Sequence, residues 1–190
     1  MLTRASASGD WVTAIEFSPD GELLASGDRN GGAFIWESNT GGIVFTLGDH
    51  KESISDLSWR ADSQMLATSS EDGRVILWFA EDGFPSRSIN AHVDSAAARN
   101  PSPRNRLPGV LSVRYTPNGM FATVGRDNSA RLWRADGNQL AKFDGFSDVP
   151  SRVTFSHDGQ RVIVGDYAGK VRVWNVADKS LAGELQTEAK

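Results

Sequence analysis

The sequence predicts an all-β chain in which four four-stranded antiparallel sheets follow one another. A tryptophan ends a short apolar run at four places, with spacings of 42, 55 and 41 residues: Trp36, Trp78, Trp133 and Trp174. An aromatic side chain stands 18 or 19 residues before each of them: Phe17, Trp59, Tyr115 and Phe155. Three copies also share a turn, which reads SPDG at 18–21, TPNG at 116–119 and SHDG at 156–159. A period near 42 residues in one register indicates a repeat protein.

The stretch 50–78 is the most regular copy, because its apolar runs alternate with the turn formers of 61–63 and 70–73. On this template we expect strands near 12–18, 22–28, 32–37 and 43–48, then 53–60, 64–70, 73–79 and 84–90, then 110–116, 120–125, 129–134 and 139–144, and last 150–156, 160–166, 169–175 and 180–186. The repeat domain spans 11–190 after a flexible N-terminus at 1–10, with copies of about 11–48, 49–90, 91–145 and 146–187. A proline-rich insertion at 93–109 accounts for the longest spacing, since proline interrupts a strand ladder.

Two copies carry a histidine, a hydroxyl, an aspartate and the tryptophan in matching positions: His50, Thr68, Asp72 and Trp78, then His92, Thr123, Asp127 and Trp133. These residues and the period resemble WD repeats, the blades of β-propellers. The resemblance implies four blades, either half of an eight-bladed ring or part of a larger propeller. It also implies a structural tetrad in both copies. In each, the histidine links the aspartate to the hydroxyl, and the hydroxyl accepts the indole N–H.

The first and fourth copies depart from this pattern. The first has Ser26 and Trp36, but Asn30 occupies the aspartate position and no histidine precedes it. In the fourth, apolar residues replace the polar partners of the tryptophan: Phe146, Val164 and Ala168. We therefore expect apolar packing alone to hold the fourth blade.

The last two copies also resemble the final repeats of bacterial WD-repeat proteins that are associated with cytochrome-c-like domains. The segments that carry this resemblance are LSVRYTPNGMFATVGRDNSARLW and VIVGDYAGKVRVW. Because the chain has no cysteine, any such haem domain would lie in another part of a longer protein.

Composition excludes several classes of partner. The net charge of −4, without a clustered basic face, argues against nucleic acid. The sequence contains no run of about 18 apolar residues, so it predicts no membrane span. The N-terminus lacks the apolar core of a signal peptide, so we expect a cytoplasmic protein by default. The absence of cysteine excludes disulfides, thiolate metal sites and cysteine nucleophiles within this chain.

The candidate catalytic residues are better explained as structural. His50 and His92 occupy equivalent repeat positions, and His157 replaces the proline of a turn. The sequence offers no glycine-rich phosphate loop, no metal-spaced cluster and no nucleophile elbow. We expect a protein that is not an enzyme and has no catalytic residue, metal site or cofactor.

Protein binding is the function that the pattern favours, because the loops of a propeller project from a rigid ring. The candidate contact residues precede the aspartate position of each blade or lie in the insertion, and they suggest a partly basic rim: Arg29, Glu71, Arg126 and Tyr167, with Arg99, Arg104 and Arg106. The prediction is a non-catalytic WD-repeat scaffold that binds a protein through this loop face. The alternative is a structural C-terminal portion of a larger multidomain bacterial protein whose activity lies elsewhere.

Ring closure is the last expectation. Propellers have about 4–8 blades, but the rings of the WD-repeat family usually have about seven, so four such blades would span about half a circle. An apolar face would then be uncovered at each end, formed by the Ile15/Phe17 layer of the first blade and the Val153/Phe155 layer of the fourth. A homodimer could close the ring. The rivals are a tight four-bladed ring and blades from further sequence.

Overall fold

The computed structural model describes residues 10–93 and 109–186. In these ranges the strands form four antiparallel sheets of four strands, each ordered as in the chain. Blade one contains β1 (Val12–Phe17), β2 (Leu23–Asp28), β3 (Ala33–Glu37) and β4 (Ile43–Leu47), and blade two contains β5 (Ile54–Trp59), β6 (Met65–Ser70), β7 (Arg74–Phe79) and β8 (Pro85–Asn90). Blade three contains β9 (Val110–Tyr115), β10 (Phe121–Gly125), β11 (Ser129–Trp133) and β12 (Gln139–Phe143), and blade four contains β13 (Pro150–Phe155), β14 (Arg161–Asp166), β15 (Lys170–Asn175) and β16 (Leu181–Gln186).

The predicted all-β fold is confirmed, and each predicted strand is present with bounds that differ by no more than one residue. Within the two described ranges, the chain contains no helix long and apolar enough to cross a membrane. The predicted insertion lies almost wholly outside the described residues, and so do Arg99, Arg104 and Arg106.

The turn between the first two strands of each blade requires a left-handed residue. In blades one, three and four the shared glycine takes this conformation, with φ of 76° at Gly21, 86° at Gly119 and 68° at Gly159. Blade two has no glycine here, and Ser63 adopts φ of 60° instead. Glycine is favoured at such a position because it has no Cβ to clash.

Each repeat tryptophan lies at a break in strand register. The third and fourth strands of every blade pair regularly until the tryptophan, where the register shifts by one residue. Such a bulge increases the local twist and changes the direction of a side chain. The fourfold recurrence of this break shows that the blades share one backbone plan as well as one sequence period.

The core lies between consecutive blades, in three clusters of buried side chains. Blades one and two share the first cluster, which includes Ile35, Leu47, Leu57 and Trp78. Blades two and three share the second, with Leu77, Val113, Phe121 and Trp133. Blades three and four share the third, with Leu132, Phe143, Val162 and Trp174. The first strands contact one another in the order β1, β5, β9 and β13.

The two ends of this arc are uncovered by other described residues. Ile15 and Phe17 on blade one are 65% and 60% exposed, which is incompatible with a tight four-bladed ring. The expectation for blade four was wrong, since Val153 is only 3% exposed and packs, with Phe155, against blade three. Strand pairing places Ile163, Val173 and their neighbours on the uncovered face instead.

Candidate functional site

Blade two brings its four tetrad residues together. His50 Nδ1 lies 3.0 Å from Asp72 Oδ2, and its Nε2 lies 2.8 Å from Thr68 Oγ1. The indole N–H of Trp78 donates to the same hydroxyl oxygen over 2.9 Å. This series of hydrogen bonds connects the loop before the first strand with the second strand, the second turn and the third strand. Hydrogen bonding therefore fixes the loop against the blade.

Blade three has the same arrangement. His92 Nδ1 lies 2.8 Å from Asp127 Oδ1, and His92 Nε2 lies 2.8 Å from Thr123 Oγ1. The Trp133 indole N–H donates to Thr123 Oγ1 over 3.0 Å. His92 is completely buried, so every polar atom of its ring depends on these partners.

The surroundings of the tetrads shift the pKa values of three groups. Burial alone would raise the pKa of Asp127, but hydrogen bonds from His92 and Ser129 outweigh it and lower that pKa to about 2. Burial would likewise raise the pKa of Asp72. Hydrogen bonds from His50 and from two backbone N–H groups outweigh burial and hold that pKa well below its usual range. Burial lowers the pKa of His92, although its bond to Asp127 acts in the opposite direction. The tetrads therefore favour ionised aspartates, and burial favours a neutral His92.

An arginine that the sequence analysis did not single out extends each tetrad. Arg74 Nη2 lies 2.8 Å from Asp72 Oδ2, and Arg131 Nη2 lies 2.6 Å from Asp127 Oδ2. Arg131 Nε is the single buried side-chain nitrogen or oxygen in the described residues that has no hydrogen-bond partner. Lys142 faces Arg131 across the strand pair and has no acceptor to offer it.

Blade four contains a different polar network, so the expectation of apolar packing alone was wrong. Arg172 is 7% exposed, and its Nη1 lies 3.3 Å from Asp166 Oδ2 while its Nε lies 2.8 Å from Glu184 Oε2. The guanidinium group also stacks on Phe146, at 5.2 Å from the ring centroid. Phe146 thus replaces the tetrad histidine with a cation–π contact. Repeat register could have revealed Arg172, because it and Arg131 both stand two residues before their tryptophans.

An earlier carboxylate also closes the second turn of blades one and four. Asp28 Oδ1 accepts the N–H groups of Asn30 and Gly32, each over 2.9 Å. Asp166 Oδ1 accepts those of Ala168 and Lys170 over 3.0 Å. Both aspartates stand eight residues before their tryptophans. The turns are therefore stabilised without a residue of the tetrad type.

The four candidate contact residues in the turns occupy equivalent places on one face. Each donates its backbone N–H to the carbonyl of a residue at or just before the start of the first strand, in the pairs Arg29 to Trp11, Glu71 to Ser53, Arg126 to Gly109 and Tyr167 to Val149. Because strands alternate in direction, the turns between second and third strands lie at the same end of every blade. These four residues therefore lie on the face that also carries His50 and His92.

Their side chains differ in availability. Tyr167 is 68% exposed, and Arg29 lies 5.3 Å from the ring centroid of Trp11, which is 73% exposed. Arg126 instead forms an ion pair with Glu71 of the preceding blade. This pair neutralises one of the cations that suggested a basic rim. The described part of this face therefore offers two exposed aromatic rings and one arginine.

A second charged group lies where the first strands of three blades converge. Arg114 Nη1 of blade three lies 3.5 Å from Glu16 Oε1 of blade one, and its Nη2 lies 3.6 Å from Asp56 Oδ1 of blade two. Burial raises the pKa of Glu16, and the Arg114 charge opposes that rise. No local sequence pattern predicts this group, since 98 residues separate Arg114 from Glu16.

The described residues contain no group of three or more histidine, cysteine or acidic side chains that could hold a metal ion. Two of the three histidines are tetrad members, and His157 is exposed in the first turn of blade four. This arrangement provides rigid turns and exposed side chains for contact.

Comparison with known proteins identifies the repeats. The family pattern described as "WD domain, G-beta repeat" matches residues 2–37, 41–78, 85–134 and 137–175. Apoptotic protease-activating factor 1 of Rattus norvegicus is 28% identical over 90% of this chain and 12% of the relative. The transcriptional corepressor LEUNIG_HOMOLOG of Arabidopsis thaliana is 26% identical over 96% of this chain and 26% of the relative. The chain thus spans about an eighth and a quarter of these two proteins. Neither of these relatives tests the expected resemblance to bacterial cytochrome-associated proteins. That resemblance stays a prediction.

A solved structure has the same fold. The crystal structure of the Cps50 (Swd1) β-propeller domain of Myceliophteria thermophila matches with a TM-score of 0.79 at 19% identity, covering all of this chain and 59% of that one. WD40 propellers generally act as non-catalytic scaffolds that bind other proteins. The chain belongs to the WD40 family of β-propeller repeat proteins.

Proposed function

We propose that this chain is a non-catalytic scaffold that binds a protein partner through the face carrying the tetrads, here called the loop face. The observation that carries the proposal is the fourfold equivalence of four turn residues, whose backbone N–H groups all donate to the residue just before the first strand of their own blade: Arg29, Glu71, Arg126 and Tyr167. This arrangement presents side chains of different chemistry at regular intervals around an arc. A binding surface needs such a set of fixed positions.

The exposed side chains of the loop face have the chemistry of interface residues. Tyrosine, tryptophan and arginine are enriched among the residues that dominate binding energy. Tyr167 and Trp11 are the two most exposed aromatic residues of this face, and Arg29 stacks on Trp11. We expect a partner to contact these three side chains. The Glu71–Arg126 pair would contribute less, because each charge already has its partner.

Rigidity supports the proposal as well. The tetrads of blades two and three and the Asp166–Arg172 group of blade four fix the loops or turns of the same face. A surface ordered before binding loses less conformational entropy on association. The insertion 93–109, with Arg99, Arg104 and Arg106, is proposed to contribute to the same face, since it begins after His92 and ends at the carbonyl that Arg126 contacts.

The test uses two aromatic residues of equal exposure on opposite faces. Tyr167 and Phe84 are both 68% exposed, and Phe84 lies in a turn between third and fourth strands, at the other end of its blade. A tagged chain is used to capture partners from the cell extract of its source, and the retained proteins are compared with those of the Y167A and F84A variants. We expect a partner that the wild type and F84A retain and Y167A loses. Equal retention by all three variants would contradict the loop face as the binding site.

A second candidate is the structural part of a larger multidomain bacterial protein. The uncovered apolar ends of blades one and four favour it, since further blades could cover them. An antibody against this chain would detect a native product well above 20.6 kDa if this candidate is correct. A native product of 20.6 kDa would exclude it.

A further inference from the structure

The two uncovered ends of the arc are opposite halves of the interface that joins the other blades. On blade one the uncovered residues Val12, Ile15 and Phe17 are 55%, 65% and 60% exposed. Their equivalents in blade two, which pack against blade one, are 0%, 1% and 5% exposed: Ile54, Leu57 and Trp59. Blade one therefore presents the face that every later blade buries against its predecessor.

Blade four presents the complementary face. Its uncovered apolar residues, identified from strand register, are Ile163, Val171, Val173 and Leu185. Their equivalents in blade two are at most 8% exposed against blade three: Ala67, Val75, Leu77 and Ile89. Leu185 is 65% exposed. Burial of apolar side chains is favourable, so both faces favour a cover.

A glycine on blade four indicates which residue of a covering blade would pack against it. Gly27 in blade one allows close approach of blade two, because a β-carbon placed on it would lie 2.7 Å from Ile54 Cβ. Gly165 is its equivalent in blade four, and a β-carbon there would have no described atom within 4 Å. Neither glycine has a left-handed φ that would require glycine. Mid-strand glycine of this kind indicates close approach by another chain segment, and the residue equivalent to Ile54 is Val12.

A polar contact repeats in the same register. Glu16 Oε2 of blade one accepts the backbone N–H of Trp59 over 3.1 Å, and Ser58 Oγ of blade two accepts that of Tyr115 over 3.0 Å. Thr154 is the equivalent residue of blade four, and it is exposed. The backbone N–H that it would accept belongs to the residue equivalent to Trp59 and Tyr115. On blade one that residue is Phe17.

Charge also favours contact between the two ends. Residues 10–93 contain 14 acidic and 5 basic side chains, whereas residues 109–186 contain 8 acidic and 10 basic ones. At the two ends themselves, blade one (10–48) contains 6 acidic side chains and 1 basic one, whereas blade four (146–186) contains 5 of each. Repulsion between two acidic blades therefore disfavours contact of like ends, and head-to-tail contact avoids it.

From these observations we propose that a second copy of this chain covers both ends, so that blade four of each copy packs on blade one of the other and two chains form one eight-bladed ring. Val12 of each copy fills the space above Gly165 of the other, and Thr154 accepts the N–H of Phe17. A two-fold axis relates the copies, and two identical interfaces close the ring.

The test combines mass with a cross-link in a chain that has no cysteine of its own. Sedimentation equilibrium of the wild-type chain at micromolar concentration should give twice the 20.6 kDa of one chain. A mixture of the V12C and G165C variants, dissociated, remixed and oxidised, should give a disulfide dimer containing one of each. Either variant alone should give none, because its two cysteines lie on opposite sides of the ring. The equivalent β-carbon positions of Gly27 and Ile54 lie 2.7 Å apart, closer than the roughly 3.5–4.5 Å between bridged Cβ atoms, so the disulfide requires a small separation of the two strands.

A variant that fills the space above Gly165 provides the control. G165I should shift the mass to that of one chain while its far-ultraviolet circular dichroism stays that of the wild type. G48V is its match, because Gly48 also has open space around it but lies in the loop before His50. Any of three results would overturn the proposal: a wild-type chain that sediments as a monomer, a mass that grows beyond two chains with concentration, or V12C that cross-links to itself.

Discussion

Blades two and three stabilise the turn between their second and third strands differently from blades one and four. All four have the same strand order and the same register break at the tryptophan. In the first pair, a buried histidine ties the incoming loop to the blade. In the second pair no histidine occupies that position, and Asp28 or Asp166 closes the turn from two residues earlier. The backbone plan therefore does not require one particular set of polar side chains.

Each blade does require hydrogen-bond partners or packing contacts for the buried groups around its tryptophan. The Trp36 indole N–H donates to Ser26 Oγ over 2.8 Å, as those of Trp78 and Trp133 donate to threonines. Trp174 has Val164 at the position of the hydroxyl, and it packs instead between Phe143 and Phe146, with ring centroids at 5.0 and 5.5 Å. Blade four moves its polar contacts to Arg172, which pairs with Val164 and stands two residues before Trp174. The difference predicts that the two kinds of blade depend on different residues.

The largest effect is expected from the substitution H92A. It removes the ring that bridges Asp127 and Thr123 and leaves a cavity in a site that is fully buried. An unsatisfied buried polar group costs about 1–3 kcal/mol and the cavity adds to it, so we expect a free energy of unfolding lower by roughly 4 kcal/mol. Urea unfolding followed by tryptophan fluorescence measures it. The exposed His157 provides the control, and equal losses from H92A and H157A would show that the tetrad is not needed.

The next effect is expected from D166A in blade four. The substitution leaves two backbone N–H groups and Nη1 of Arg172 without their acceptor, so we expect a loss of roughly 3 kcal/mol in the free energy of unfolding. D158A is the matched control, because Asp158 also accepts a backbone N–H in a turn but is exposed. If both variants unfold at the same urea concentration as the wild type, apolar packing alone does hold blade four.

Acid should weaken the blade three tetrad in two stages. The folded pKa of His92 is lowered from 6.5, so the unfolded chain binds a proton first and stability falls as the pH drops below 6.5. The folded pKa of Asp127 is about 2 against an ordinary 3.8, so its stabilisation of about 2 kcal/mol is complete above pH 3.8 and disappears as the pH falls through 2. Melting temperatures measured from pH 7 to pH 2 test this. D127N should flatten the acid stage, and an unchanged profile in that variant would assign the stage to another group.

The smallest expected effect is an increase in stability. Glu184 in blade four accepts from Arg172 Nε, whereas Lys142 occupies the equivalent position in blade three and leaves Arg131 Nε unpaired. We expect K142E to raise the free energy of unfolding by about 1 kcal/mol, because it supplies a charged acceptor to a buried donor. The exposed Lys142–Asp144 pair that it removes contributes little. The control K142Q removes the same cation without supplying the carboxylate, and an equal gain in that variant would assign the effect to the lost lysine.

Several features of the fold were predictable because each blade carries them within about 42 residues. The tryptophan spacing, the turn sequence and the alternation of apolar residues predicted all sixteen strands and their order. The tetrad positions were recognisable for the same reason, since two copies of His, Thr, Asp and Trp stand in one register. The polar group of blade four was missed because its aspartate, Asp166, stands eight residues before the tryptophan, whereas the tetrad aspartates stand six before theirs. Comparison of Arg131 with Arg172 in repeat register would have found it.

By itself, then, the sequence determined the repeat, the strands and the tryptophan positions, because these depend on hydrogen bonds and turns between residues close in the chain. Only the tertiary structure decided that Arg126 pairs with Glu71, that Arg114 reaches Glu16, and that Val153 faces inward while Ile15 is uncovered. Those outcomes depend on how neighbouring blades are placed. Long side chains such as arginine can reach several acceptors, and the local sequence does not specify which acceptor the next blade brings within range.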